Sequence, residues 1–190
     1  MEKKSSVRKI VVAGALGALS IALFLTPFGY IPWLAGASLT VMHVPAIIGA
    51  VLEGPVVGAI VGVIFGVTAL IKAATSPQGP IDVFFVNPLI SVLPRLLVGI
   101  AAWAAYKAFR GKVDAVAAAV AGIAGSLTNS LFVLGALVAF GAIPPASAAA
   151  VLVANGPIEA ALAAVLTLGV VAAWKGIESR SGKARLSKEE

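Results

Sequence analysis

The sequence contains no cysteine, a single histidine and few charged side chains. Only 12% of its 190 residues are Asp, Glu, Lys or Arg, whereas a soluble domain carries about 25%. The absence of cysteine excludes disulfide bonds, thiolate metal ligands and cysteine nucleophiles. The one histidine, His43, and the scattered carboxylates give no spacing typical of a metal site. We therefore expect no bound metal and no other cofactor.

Sequence motifs of common hydrolases are also missing. The chain has neither the G-x-x-x-x-G-K loop that cradles nucleotide phosphates nor the G-x-S-x-G and H-E-x-x-H motifs of serine hydrolases and zinc proteases. An enzyme inside the membrane would need a nucleophile beside a base, or a metal cluster, and His43 stands alone. We therefore expect that the chain is not an enzyme and does not itself hydrolyse ATP.

Apolar residues dominate what is present. They make up 60% of the sequence, and the mean hydropathy is +1.05, so the natural solvent of the chain is lipid. About 20 apolar residues cross the hydrocarbon core of a bilayer, and six crossings with short loops nearly exhaust the length. The sequence predicts an all-α membrane protein, a bundle of about six transmembrane helices in residues 1–175, followed by a polar cytoplasmic tail in residues 176–190.

Charges, glycines and prolines set the predicted helix boundaries. Gly54 and Pro55 predict a tight turn between helices 2 and 3, whereas Pro45 falls inside helix 2. Pro88 and Pro94 predict kinks in helix 4. A Gly/Pro/aromatic loop is expected at residues 28–33 and a second loop at residues 75–80. The predicted helices cover residues 8–28, 38–52, 56–74, 82–109, 115–140 and 147–174.

Lysine and arginine fix the expected orientation. With six crossings, 12 of the 14 basic residues fall on the side that holds both termini, and only Lys72 and Arg95 do not. Basic residues concentrate on the cytoplasmic side of membrane proteins, so both termini are predicted to be cytoplasmic. The same asymmetry explains the net charge of +6 without a nucleic-acid partner, because the basic segments lack interleaved aromatic residues.

Polar side chains are concentrated in the predicted outer halves of the helices, while the inner halves are almost entirely Ala, Val, Leu, Ile and Gly. Ionisable groups inside a bilayer usually face a protein interior or a wet cavity. A shared depth on several helices therefore predicts a substrate pocket open to the outside. The candidate binding residues are Trp33, His43, Lys72, Asn87, Ser91, Arg95, Asn129, Asn155 and Glu159.

Each candidate also has a structural alternative. Arg95 and Glu159 are equally suited to pair with each other, and the asparagine amides to bridge helices. His43 would then be a buried residue that only packs against its neighbours. Lys72 would mark the membrane interface, and Trp33 would belong to an aromatic belt at that interface.

Small residues recur on predicted helix 1. Gly14, Ala18 and Ala22 follow one another at intervals of four residues, a spacing that lets a second helix approach closely. The stripe therefore predicts either a docking face for another membrane chain or packing inside the bundle. A similar set, Gly58, Gly62 and Gly66, lies on helix 3.

Several segments together form a pattern typical of a known family: residues 38–45, 49–55, 87–99 and 125–129, and Asn155-Gly156 with Glu159. Through them, most of the chain resembles the substrate-binding S components of energy-coupling factor (ECF) vitamin transporters, and most closely the pantothenate-type branch. The resemblance implies a subunit of the prokaryotic plasma membrane that binds one vitamin, here pantothenate, near the external face. S components for niacin or a pyridoxine-type compound are the alternatives.

The resemblance also implies the partners. They are a membrane coupling protein and two ABC-type ATPases, whose ATP-driven rearrangement topples the S component and delivers the substrate inward. The stripe of Gly14, Ala18 and Ala22 corresponds to the family's docking motif. Against a stand-alone transporter, the sequence offers no charged path through the inner half of the membrane. A scaffold that binds no small molecule is a further alternative.

Overall fold

The structure is a computed structural model that describes residues 2–26, 29–32, 38–77, 79–110 and 114–186. Within these residues, seven α-helices, one 3-10 helix over Asp82–Val86 and two short strands follow one another. The strands are β1 (Tyr30–Pro32) and β2 (Ser38–Thr40). The helices are α1 (Glu2–Leu25), α2 (Val44–Glu53), α3 (Pro55–Thr75), α4 (Pro88–Ser91), α5 (Leu93–Phe109), α6 (Asp114–Ala139) and α7 (Pro145–Leu186).

The prediction of an all-α membrane protein is confirmed. Five segments of the described chain are long and apolar enough to span a membrane: Ser6–Leu25, Pro55–Thr75, Pro88–Phe109, Asp114–Ala139 and Pro145–Gly176. The sixth predicted crossing is shorter, because α2 has only 10 residues. At 1.5 Å per residue it is about 15 Å long, half the thickness of the hydrocarbon core.

The predicted start of helix 2 at residue 38 is wrong. Ser38–Thr40 forms β2, which pairs antiparallel with β1, and the helix begins at Val44. Pro45 lies in the first turn of α2, where the missing amide proton removes no helical hydrogen bond. The segment before α2 is enclosed by protein, since Leu39 is 2% and Met42 1% exposed. Such enclosure is how non-helical backbone is tolerated at membrane depth.

The predicted helix over residues 82–109 is also not continuous. It is divided into the 3-10 helix, α4 and α5, with breaks at Asn87 and Val92. Asn87 directly precedes Pro88, which disfavours helical geometry in the residue before it. Pro94 has no amide proton, so the carbonyl oxygen of Ile90 lacks its helical donor and accepts from the side chain of Arg95 instead. The prolines therefore end helical segments where kinks were expected.

Helix α7 is longer than predicted. It begins at Pro145, two residues before the expected start, and continues to Leu186 rather than ending at Trp174. Its 42 residues give a length of about 63 Å at 1.5 Å per residue. The polar segment after residue 175 thus extends the last transmembrane helix through residue 186.

Helices α3 and α5 cross closely through glycine. A Cβ added at Gly62 would meet the backbone carbonyl of Arg95, one at Gly66 the carbonyl of Ser91, and one at Gly99 the backbone of Gly58. Backbones approach this closely only where side chains are missing. The small residues of helix 3 therefore serve packing inside the bundle, and they fix the position of Arg95.

The two ends of the bundle differ in charge. At one end, Arg8 of α1 bonds Glu53 of α2, and Lys175 of α7 bonds Asp114 of α6 and the hydroxyl of Tyr106 on α5. These contacts bring together the chain segments that the six-crossing topology places in the cytoplasm. We call this end the basic end. The other end, where α3 finishes and α5 begins, we call the outer end.

Candidate functional site

A cavity of about 630 Å³ opens at the outer end of the bundle. Pockets that bind small molecules in proteins typically measure about 300–1,000 Å³. Elements from across the chain contribute to its wall, from α1 and β2 to α7. Its polar lining residues are Thr40, Lys72, Ser76, Asp82, Arg95, Asn129, Ser130, Asn155 and Glu159, and its larger apolar ones are Phe24, Met42, Phe65, Ile81, Phe85, Val133, Leu134, Val151 and Leu152.

Arg95 forms a charged part of the cavity wall. It lies in the first turn of α5 and is 7% exposed. Its Nη1 donates a hydrogen bond of 2.5 Å to the carbonyl oxygen of Ile90. The guanidinium carbon lies 5.3 Å from the ring centroids of both Phe65 and Phe85. These contacts hold the orientation of a group that stays protonated at physiological pH.

Lys72 and Asp82 line the cavity where the chain leaves α3. The Nζ of Lys72 lies 5.0 Å from the ring centroid of Phe24. A carboxylate oxygen of Asp82 accepts a hydrogen bond of 3.2 Å from the amide of Gly79, which closes the short connection before the 3-10 helix. The mouth of the cavity thus carries charges of both signs.

Glu159 holds β2 against the helices. One carboxylate oxygen accepts hydrogen bonds from the amide of Thr40 at 2.7 Å and from its hydroxyl at 3.2 Å. The other accepts a bond of 3.1 Å from the hydroxyl of Ser130. Glu159 is 6% exposed and joins β2, α6 and α7 at one point. The ion pair with Arg95 that depth alone suggested is not among the ion pairs of the described residues.

Two asparagines line the cavity, Asn129 on α6 and Asn155 on α7. Asn129 is 7% and Asn155 6% exposed. The side-chain oxygen of Asn129 accepts no hydrogen bond in the described part of the chain. A buried amide oxygen without a donor loses about 1–3 kcal/mol relative to a bonded one. A ligand hydroxyl or amide proton would supply that donor.

Three other candidates lie near the cavity without lining it. The side chain of Asn87 caps α4 by accepting from the amide of Leu89 at 3.0 Å. The hydroxyl of Ser91 donates to the carbonyl oxygen of Asn87 at 3.1 Å. His43 is fully buried before α2, and within the described residues neither ring nitrogen has a hydrogen-bond partner. Trp33 lies outside the described residues.

The comparison with known families decides what kind of protein carries this cavity. A family model for the substrate-specific component of ECF transporters matches residues 8–171. The chain belongs to this family. No curated protein matches it. The family and the five apolar helices make it a multi-pass membrane subunit of a transporter, with a small-molecule substrate and an ECF module as partner.

The cavity of this substrate-specific component contains residues that were not among the candidates. Phe24, Phe65 and Phe85 are the aromatic neighbours of its two cations. A phenylalanine in an apolar helix looks the same in sequence whether it faces lipid or a cavity. The sequence does indicate that Thr40 and Ser130 are polar residues at the depth of the predicted pocket. Their shared contact with Glu159 was not predictable, because it depends on the position of β2.

Helix α1 of the substrate-specific component has two different faces. A Cβ added at Gly17 would lie 2.7 Å from Cδ1 of Ile64 on α3, so Gly17 packs inside the bundle. The stripe of Gly14, Ala18 and Ala22 is exposed, and a Cβ at Gly14 would meet nothing within 4 Å. In the structure, the predicted docking stripe is thus an outer surface of the bundle.

Proposed function

We propose that this substrate-specific component binds a vitamin that carries a carboxylate, with pantothenate as the best candidate, in the cavity at the outer end. The observation that carries the proposal is the position of Arg95. A permanently charged guanidinium lies on the cavity wall, held by Ile90 and by two phenyl rings. Its planar fork suits a carboxylate, which accepts two parallel hydrogen bonds.

The lining of the cavity carries two basic side chains, Lys72 and Arg95, and two carboxylates, Glu159 and Asp82. Its two carboxylates already accept hydrogen bonds from protein donors, Glu159 from Thr40 and Ser130, and Asp82 from Gly79. The contacts of Lys72 and Arg95 with phenyl rings contribute about 0.5–2 kcal/mol each and hold both cations at the cavity wall. A ligand carboxylate would be attracted to these two cations.

The remaining lining suits the rest of such a molecule. Asn129 and Asn155 offer amide groups to ligand hydroxyl or amide groups. Met42, Val133 and Leu134 form apolar wall, against which methyl groups would be buried. Pantothenate has all of these parts, namely a carboxylate, an amide, two hydroxyls and a dimethyl carbon.

Transport would depend on an ECF module of a membrane coupling protein and two ABC-type ATPases. The exposed stripe of Gly14, Ala18 and Ala22 on α1 is our proposed docking face for the coupling protein. Its smooth surface would allow a partner helix to approach closely, and the cavity residues contributed by other helices would remain undisturbed.

Mass spectrometry of small molecules released from the purified protein tests the proposal. A tightly bound substrate is retained during purification, and we expect a carboxylic acid, pantothenate first. Release of a cationic vitamin such as thiamine would contradict the proposed role of Arg95. The control is the Arg95→Ala variant, purified in the same way and shown to be folded, which should release at least about tenfold less of the same molecule.

A further inference from the structure

A second cavity lies at the basic end of the bundle, far along the helices from the first. It has a volume of about 320 Å³ and opens between the end of α2 and the last turns of α5. Its lining residues are Ala50, Val51, Leu52, Glu53, Gly54, Trp103, Tyr106, Lys107 and Arg110. Apolar floor, aromatic rings and basic side chains therefore meet in one place.

The net charge of this basic cavity is positive. Among the described lining residues the one carboxylate is Glu53, which is 7% exposed and receives a hydrogen bond of 2.5 Å from Arg8 that compensates its charge. The side chains of Lys107 and Arg110 form no hydrogen bond or ion pair within the described ranges of the chain. The carboxylate of Asp114 interacts with the charge of Arg110 at longer range, but it is already paired with Lys175. The Nζ of Lys107 lies 4.9 Å from the ring centroid of Trp103, a contact that positions the ammonium without neutralising it.

The aromatic residues of the basic cavity place it at the depth of lipid headgroups. Trp and Tyr are enriched where the membrane meets water, and Trp103 and Tyr106 lie in the last two turns of α5. The hydroxyl of Tyr106 accepts a bond of 3.2 Å from Lys175 and retains its own proton for donation.

We propose that the basic cavity binds the phosphate of an anionic phospholipid headgroup, such as that of phosphatidylglycerol, from the cytoplasmic leaflet. Lys107 and Arg110 would hold the phosphate, and Tyr106 would donate a hydrogen bond to it. Basic pockets between transmembrane helices on the cytoplasmic side recognise such headgroups. A lipid fits better than a free phosphate, because Ala50 and Val51 give the cavity an apolar floor beside the acyl-chain region.

Native mass spectrometry of the full chain with defined lipids tests this proposal. Wild-type protein should retain phosphatidylglycerol and release phosphatidylcholine. The Lys107→Gln/Arg110→Gln variant should retain phosphatidylglycerol at least about tenfold less well, since both basic side chains that attract the headgroup are removed. The Lys4→Gln/Lys9→Gln variant is the matched control, because it removes two positive charges from α1 and leaves the residues that line the cavity unchanged.

Three results would overturn the proposal. In the first, both double variants reduce lipid retention equally, which would mean that only overall charge attracts the lipid. In the second, inorganic phosphate or glycerol phosphate displaces the lipid from wild-type protein at equal concentration, which would identify a site for a soluble anion. In the third, retention is unchanged in Lys107→Gln/Arg110→Gln while assembly with the coupling protein is lost, which would identify a protein-docking surface. Equal melting temperatures of the variants show that each is folded.

Discussion

Two replacements of Glu159 separate a structural role of its carboxylate from direct contact with a ligand. Glu159→Ala removes the acceptor of three hydrogen bonds, two from Thr40 and one from Ser130. The partly buried amide of Thr40 then has no acceptor, which costs about 1–3 kcal/mol, and the two hydroxyl bonds add about 1 kcal/mol. The free energy of unfolding should therefore fall by roughly 2–4 kcal/mol.

Glu159→Gln should be much milder. The glutamine oxygen still accepts from Thr40, and its amide can donate to the hydroxyl oxygen of Ser130. Only the added strength of a charged acceptor is lost, at most about 1 kcal/mol. Ser130→Ala, which removes one bond of the three, provides an intermediate case.

Thermal unfolding in detergent, with and without ligand, measures these differences. A change of 1 kcal/mol corresponds to about 2–4 °C for a protein of this size, so Glu159→Ala should melt about 5–15 °C lower. Its ligand affinity should also fall, because β2 forms part of the cavity wall. If Glu159→Gln and Glu159→Ala abolish binding equally while both melt like wild type, the carboxylate contacts the ligand directly and the reasoning is refuted.

Three further predictions follow from the packing and orientation. Gly62→Ala should destabilise the protein by about 1–3 kcal/mol in thermal unfolding, because the added Cβ would meet the backbone of Arg95. The control, Gly135→Ala, adds a Cβ in open space and should be neutral or stabilising. Equal effects of the two substitutions would contradict the close crossing of α3 and α5. Gly14→Leu should abolish assembly with the coupling protein and spare ligand binding, because Gly14 lies on the exposed stripe of α1. Gly135→Leu is the control. Normal assembly of the Gly14→Leu variant would show that α1 is not the docking face. A cysteine at Pro77 should react with an impermeant reagent from outside cells and one at Ala115 should not, and the reverse pattern would invert the orientation.

The sequence predicted the apolar helices well, because their signal is local. Charged or proline-containing segments mark the ends of α3 and α6. Both helices begin and end within one residue of their predicted limits. Prediction failed where tertiary packing decides the structure. The segment before α2 is apolar enough for a helix, yet Ser38–Thr40 pairs with β1 and bonds Glu159, a residue distant in sequence.

The candidate site was predicted in part for the same reason. Depth along regular helices placed Lys72, Arg95, Asn129, Asn155 and Glu159 at the outer end, and all five line the cavity. Depth says nothing about which neighbour a side chain bonds. The helical segments of residues 82–109 are broken before two prolines, and the candidate binding residues Asn87 and Ser91 form local hydrogen bonds within α4 and its cap instead of lining the cavity.

Titration of the purified protein with acid and neutral forms of the same vitamin tests most directly whether Arg95 binds a carboxylate. The pairs are pantothenate with pantothenol, and nicotinate with nicotinamide. For the pair that binds, the acid should bind at least about tenfold more tightly, or about 1.4 kcal/mol. Arg95→Lys, which keeps the charge but not the planar fork, should reduce this preference, and folded Arg95→Ala should abolish it. Equal binding of acid and neutral forms to wild-type protein, or a preference that survives in folded Arg95→Ala, would contradict the account.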